Sequence, residues 1–343
     1  MDLSIIPLND VTQATNNFAE ENIIEKDHGW IVYKGELSGK KLAFILADTM
    51  PNMRTVVSLL SLPKHQNIVP VIGCCDKKNN MVFVLEHPTR GGLDKYVSSA
   101  HLTWLMRVKI CLDIASALHY LQSHSKIRAL QGKKRRTSHS QIRKMDINYL
   151  NSAGIYLDEN WQAKIQLIKR GLLKPKPLGN VFPSVTRLGI NIDLYRKIFK
   201  GQLAVRDVEF GYTDPLNIQI GSPLEIYSFG VILFELLCAR LVVTNDEEGG
   251  TQSLSKLAHS HYEKGTLMEI IDPILRVQMN RDSVAIFSEV AYRCLNEDPS
   301  IRPTISEVIQ QLQKVLKLQQ GFEISELQQV SYCQFINVVF LFS

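Results

Sequence analysis

The chain has 343 residues, with 39 Lys+Arg against 34 Asp+Glu for a formal charge of +5. At 45% apolar and 21% charged residues it can bury a large core; this excludes a disordered polyelectrolyte, and the length predicts two domains or one two-lobed domain. The charge excess is local, because residues 126–144 hold eight Lys/Arg and no acid while the rest carries a net −3, which excludes a general nucleic-acid binder.

Residues 1–10 show no basic n-region, apolar h-region or Met-Gly start, so neither a secretory leader nor myristoylation is expected. Up to about residue 86, short β-prone runs at 30–34, 41–47, 68–73 and 81–86 alternate with turns, and 55–62 is a short helical candidate. That pattern predicts a small, mostly antiparallel sheet with one helix packed on it. After the turn Pro88-Thr89-Arg90-Gly91-Gly92 the chain turns helical. Over 104–121, Ile110, Ile114, Ala117, Leu118 and Leu121 form one helical face, with Thr103 as N-cap. Residues 224–237 are apolar nearly all round, so that helix is expected to be buried. Thr304 followed by Glu307 is a capping box, and Ile305, Val308, Ile309, Leu312, Val315 and Leu316 recur behind it at helical spacing. The last apolar run, 338–342, is far short of the roughly 20 residues that span a bilayer, so a soluble chain is expected.

The six cysteines (Cys74, Cys75, Cys111, Cys238, Cys294, Cys333) show neither CxxC spacing nor pairing with His at metal-ligand distances. They predict buried thiols in a reducing compartment. The architecture expected is α+β: a small β lobe with one helix, then a larger, mainly helical lobe. The divisions are a lead-in at 1–19, the small lobe at 20–86, the large lobe at 87–318 and a tail at 319–343. The large lobe carries the basic insertion 126–144 and a segment at 167–215.

Several phrases, in order over about residues 8–318, resemble the protein-kinase domains of plant receptor-like kinases. They include Leu8-Asn9-Asp10-Val11-Thr12-Gln13-Ala14-Thr15-Asn16-Asn17-Phe18 ahead of the nucleotide-binding lobe, Val32-Tyr33-Lys34-Gly35 in its second strand, and His65-Gln66-Asn67-Ile68-Val69 before its fourth. Leu157-Asp158-Glu159-Asn160-Trp161-Gln162-Ala163-Lys164-Ile165 is similar to the hairpin after the catalytic loop, and Gly211-Tyr212-Thr213-Asp214-Pro215 to the end of the activation segment. Ile226-Tyr227-Ser228-Phe229-Gly230-Val231 and Arg302-Pro303-Thr304 resemble parts of the helical lobe. The resemblance implies a bilobal protein-kinase-like fold; function has to be read from the site.

A kinase cradles phosphates on a glycine-rich loop, holds them with a lysine, chelates Mg²⁺ through Asp and Asn, and orients the acceptor hydroxyl with another Asp. Under this resemblance the three loop glycines become Glu25, Asp27 and Trp30, with Val32 following; two carboxylates replace the close backbone approach that glycine permits. The lysine of Val-Ala-Ile-Lys becomes Ile45 in Leu42-Ala43-Phe44-Ile45, and its glutamate partner becomes Val56. Losing both is coherent, since an unpaired buried charge is costly and an apolar pair is not. Asp-Phe-Gly becomes Leu167-Ile168-Lys169, and the catalytic-loop Asn becomes Gly154, so neither metal ligand remains and no metal is expected. His-Arg-Asp becomes Ile147-Asn148-Tyr149, and the lysine beyond it Asn151. A rival alignment reads Lys144-Met145-Asp146-Ile147 as His-Arg-Asp-Ile, which makes Asp146 a displaced base. Tyr156 replaces the leucine under adenine, and the remaining nucleotide-site positions are Ala43 and Glu86. Leu216 replaces the Ala-Pro-Glu glutamate, which leaves Arg302 to find an acceptor such as Asp214.

Leu60, Val71, Ile147 and Ile168 match the family's spine positions, all aliphatic. The run 126–144 reads as a solvated loop or as a contact for acidic surfaces, and 169–210 is also basic. Thr137, Ser138 and Ser140 are open to a partner kinase. The expected function is a catalytically inactive, receptor-like-kinase-type protein (a pseudokinase) acting as a scaffold or allosteric partner of kinases or other signalling proteins. It is expected in the cytoplasm, at the membrane face only through a partner, and without ATP or Mg²⁺. The alternatives are a residual Ser/Thr kinase that binds ATP, and a decayed gene product with no stable role.

Overall fold

A computed structural model of the chain describes residues 5–27, 30–47, 64–77, 80–131, 150–168, 211–212, 224–245 and 251–341. Two compact units emerge, Met1–Asp94 with Tyr120–Tyr212, and Lys95–His119 with Thr213–Ser343. The α+β class stands.

The first unit is built on five strands: β1 (Ile23–Asp27), β2 (Trp30–Leu37), β3 (Lys40–Ala47), β4 (Val71–Lys77) and β5 (Asn80–Glu86). Their order is β1-β2-β3-β5-β4, and every pairing is antiparallel. Alternation sorts the side chains. Tyr33, Phe44 and Val84 lie opposite one another and join a buried cluster with Leu42, Leu46, Val82 and Cys75 on one face. Val32, Ile45 and Phe83 lie opposite one another on the other face.

The lead-in is part of this core. Helix α1 (Leu8–Ala14) buries Val11 in the Tyr33–Phe44 cluster, and Ile5 bridges Cys74 in parallel at the β4 edge. After Thr15, three successive residues, Asn16, Asn17 and Phe18, take φ of 50, 57 and 57°, a left-handed conformation costing a side chain of order 1 kcal/mol each. Thr15 holds the turn: its hydroxyl donates to the Val11 carbonyl at 2.8 Å and accepts from the Phe18 N–H at 3.1 Å. Phe18 packs edge-on to Tyr33 with ring centroids 5.3 Å apart, and Lys77 Nζ lies 3.5 Å above the Phe18 centroid.

The run expected at 68–73 forms its strand later, from Val71. Pro70 lacks an N–H for a ladder, and the residues before it pair elsewhere. Ile165 N–H donates to the Asn67 carbonyl at 2.9 Å, Val69 N–H to the Ile165 carbonyl at 3.0 Å, and Asn67 Nδ2 to the Ala163 carbonyl at 3.1 Å. These bonds tie a second small sheet, β6 (Gly91–Gly92), β7 (Ile155–Leu157) and β8 (Ala163–Ile165), to the first within one unit. His65 is structural: its Nδ1 accepts from Asn67 N–H at 3.1 Å, and its ring lies 4.6 Å from that of Tyr120.

The second unit is mainly helical, from α2 (Trp104–Gln131, whose residues from Tyr120 onward group with the sheets) through α3 (Leu224–Cys238), α4 (Leu254–Glu263), α5 (Pro273–Arg276), α6 (Arg281–Cys294) and α7 (Ile305–Leu341). Helix α3 is buried from Ile226 to Cys238, as its composition predicts. Trp104 opens α2, donating from Nε1 to Ser283 Oγ at 3.0 Å and packing edge-on to Phe287. Arg107, 1% exposed, donates to the carbonyls of Leu102, Val97, Leu236 and Ser99. The capping box forms at α7: Glu307 N–H donates to Thr304 Oγ1 at 3.3 Å, and Thr304 N–H to Glu307 Oε2 at 2.7 Å. Helix α7 runs without a break through residue 319, where the tail was expected to begin.

Candidate functional site

Several of the positions that the kinase resemblance singles out lie on the sheets of the first unit. Glu25 on β1 lies opposite Val32, which lies opposite Ile45 on β3, which lies opposite Phe83 on β5. Cross-strand partners project to one face, so these four side chains line the face away from the Tyr33–Phe44 cluster. Ile45 is 1% exposed and Ala43 beside it 5%. Lys40 and Lys41 are exposed at the start of β3, with Lys41 opposite Glu36, away from the position of Ile45, which lies opposite Val32 and Phe83. Trp30 is buried in β2 opposite Ala47. Asp27 pairs through its backbone with Trp30 at the end of β1; its side chain lies outside the described residues.

Tyr156 comes from β7, opposite Gly92 and Lys164, and is 7% exposed. Its hydroxyl donates to Glu25 Oε2 at 3.0 Å. The side chain expected to crowd the adenine floor is thus bonded to the one expected to replace the first loop glycine. A phenol–carboxylate bond is charge-assisted and stronger than a neutral one.

Lys164, opposite Tyr156, is a cation near this position. Its Nζ lies 3.7 Å from Asp158 and 3.9 Å from Glu86, so two carboxylates already hold it. Beyond β8, Leu167 is 6% exposed and Ile168 fully buried; the resemblance expects a metal-binding aspartate and its phenylalanine at these two positions. Gln166 Oε1 accepts from the Ile168 N–H at 2.6 Å and fixes that turn locally. Asn151 Oδ1 accepts from the Gly154 N–H at 3.0 Å, and the Gly154 carbonyl accepts from Gln166 N–H at 3.0 Å. Asn151 therefore caps its own loop. Ser152, beside it, meets the Tyr212 hydroxyl at 2.9 Å, and both are buried.

One feature escaped the sequence reading. Where the chain leaves β5, a planar ring would find backbone N–H and C=O groups as its partners. Pro88 has no N–H, and its carbonyl accepts from His87 Nδ1 at 2.8 Å. A carbonyl accepts only, so that nitrogen carries the proton. The signal was the proline itself, two residues past Glu86.

Val56, Leu60, Asp146, Ile147, Tyr149, Asp214, Leu216, residues 132–144 with Thr137, Ser138 and Ser140, and 169–210 lie outside the described residues. Arg302 donates from Nε to the Asn296 carbonyl at 2.7 Å, with its guanidinium 5.2 Å from the Tyr227 ring centroid.

Residues 46–130 match the family of protein tyrosine and serine/threonine kinases. The receptor-like protein kinase HERK 1 of Arabidopsis thaliana is 32% identical over 329 residues, which is 92% of this chain and 35% of that protein. ANXUR2 is 31% identical over 327 residues (91% and 34%), and FERONIA 29% over 328 (92% and 32%), both from the same plant. The chain spans about a third of the length of the curated relatives it matches. With kinase phrases running in order along an α+β chain, and these relatives matching nearly all of it, the chain is similar to the protein-kinase domains of plant receptor-like kinases.

Proposed function

We propose that this domain transfers no phosphate and works by binding signalling proteins, an active kinase among them, as a scaffold or allosteric partner. The observation that carries the reading is the Tyr156–Glu25 bond, which joins the two positions between which a nucleotide base and its phosphates would lie. The buried Ile45 and Leu167 support it, since neither holds a phosphate or a metal ion. The exit from β5 supports it too, because Pro88 has no N–H to offer a base. ATP and Mg²⁺ are then not needed for the fold. The names of the relatives, receptor-like protein kinases, support a role in receptor-type signalling. Among the described residues no helix is long and apolar enough to cross a membrane, and we place the domain at a cytoplasmic membrane face only through a partner. The basic run 126–144 supplies a contact for acidic surfaces.

The test is incubation of the purified chain with γ-labelled ATP and Mg²⁺, alone and with a generic protein substrate. No incorporation is expected. Labelling that disappears in Asp146→Ala would instead establish a residual Ser/Thr kinase with a displaced base.

A further inference from the structure

Besides the pairing of Gly91–Gly92 with Leu157 and Tyr156 and the Arg90 N–H bond to the Leu157 carbonyl at 3.1 Å, three side-chain contacts join the turn after β5 to the tip of the β7–β8 hairpin. Thr89, exposed, donates from Oγ1 to Glu159 Oε2 at 3.2 Å. Arg90 Nη2 donates to the Glu159 carbonyl at 3.2 Å. The Arg90 guanidinium lies 4.0 Å from the ring centroid of Trp161, a cation–π contact. Trp161 itself has φ 63°, the left-handed region that a turn normally gives to Gly or Asn. A large aromatic residue there breaks the local rule, and such breaks concentrate at functional positions.

Among the described residues, Thr89 differs from the other exposed Ser and Thr hydroxyls bonded to carboxylates. Ser300 and Thr304 bond Asp298 and Glu307 two or three residues away and close their own turns. Thr89 bonds a carboxylate 70 residues distant and sits next to an arginine already engaged in the same contact.

We propose that Thr89 is a phosphorylation site whose phosphate takes Arg90 away from Trp161 and breaks the Thr89–Glu159 contact at the hairpin tip, while the backbone pairing of β6 with β7 stays in place. A separate Ser/Thr kinase transfers the γ-phosphoryl group of MgATP to Thr89 Oγ1. The new O–P bond replaces the bond to the β-phosphate oxygen of ATP, ADP leaves, and the hydroxyl proton passes to that enzyme's base. The product carries roughly two negative charges and no donor. It can no longer bond Glu159, which it repels, and it offers Arg90 a bidentate acceptor one residue away. The Trp161 ring is then uncovered on its Arg90 side, as an aromatic anchor of the kind that dominates protein interfaces. This rests on the reading above only in that the phosphoryl donor is a different enzyme.

The test compares the full chain carrying phosphothreonine at 89, installed by codon reassignment, with the unmodified chain and with Thr89→Val. Trp30 and Trp104 are 8% and 0% exposed, so acrylamide quenching of tryptophan fluorescence reports mainly on Trp161. The quenching constant is expected to rise about twofold in the phosphorylated chain, because the charge moves Arg90 off the ring. Thr89→Val should stay near the unmodified value, since it removes one hydrogen bond and adds no charge. Equal quenching in all three chains would overturn the proposal, as would absence of phosphate at Thr89 in protein isolated from native tissue. If the purified chain labels Thr89 with MgATP alone, the inactive reading fails while the site stands.

Discussion

The Tyr156 hydroxyl and the Glu25 carboxylate, 131 residues apart in sequence, meet at 3.0 Å. In a working kinase a nucleotide would separate the strands they stand on. A double-mutant cycle with Tyr156→Phe and Glu25→Gln should give a coupling of about 1 kcal/mol in denaturant melts, the scale of a partly shielded hydrogen bond to a charged group. A coupling of zero would mean that the contact is not formed in solution.

Ile45→Lys should cost about 3–5 kcal/mol, because the ammonium group would enter a position 1% exposed between Val32 and Phe83. Adding Val56→Glu should recover part of that loss through pairing. Activity should stay absent, since Leu167 and Gly154 still hold no metal. Guanidinium melts of the four proteins in the cycle check this, and a fully stable Ile45→Lys chain would mean a wet, open site.

Much of this was legible in the sequence, and the limits have physical reasons. Strands β2, β3 and β5, the buried helix α3 and the Thr304–Glu307 capping box follow from periodicity and local hydrogen bonding, which neighbouring residues decide. The side chains at kinase positions could be named by alignment. Their partners could not, because the Tyr156–Glu25 contact depends on register across two sheets. Helix α1 has seven residues, too few to form without Val11 buried beneath it, and its burial is a tertiary effect. The late start of β4 reflects backbone bonds from Asn67 and Val69 to a hairpin nearly a hundred residues on.

The lead-in depends on Gly35. A Cβ there would meet the Ala14 carbonyl oxygen in α1 and lie 2.7 Å from the Phe44 ring edge, and neither backbone nor buried ring can yield cheaply. Gly35→Ala should therefore destabilise by about 1–3 kcal/mol, the usual cost of overpacking. Limited proteolysis should cut within residues 5–22 sooner than in the parent. Unchanged protection would show that α1 is not seated on β2 in solution.

Burial pushes the Cys238 and Cys294 thiols up to about 12 and raises Cys111 further, from an ordinary value of 9.0. The folded state therefore holds these protons after the unfolded chain has begun to lose them. Stability from this source is complete below pH 9 and falls as pH rises toward 12, by about 1.4 kcal/mol per unit for each thiol. Urea melts at stepped alkaline pH should show that decline, and replacing Cys238 and Cys294 by Ala should flatten it. A slope unchanged by the replacements would assign the decline to other groups.

Calorimetric titration of the purified chain with ATP, with and without Mg²⁺, tests the central claim most directly. A cleft bridged by Tyr156 and Glu25, with no lysine at 45 and no acid at 167, should bind ATP more weakly than about 1 mM, with no change on adding Mg²⁺. Micromolar affinity that depends on Mg²⁺ would contradict the account.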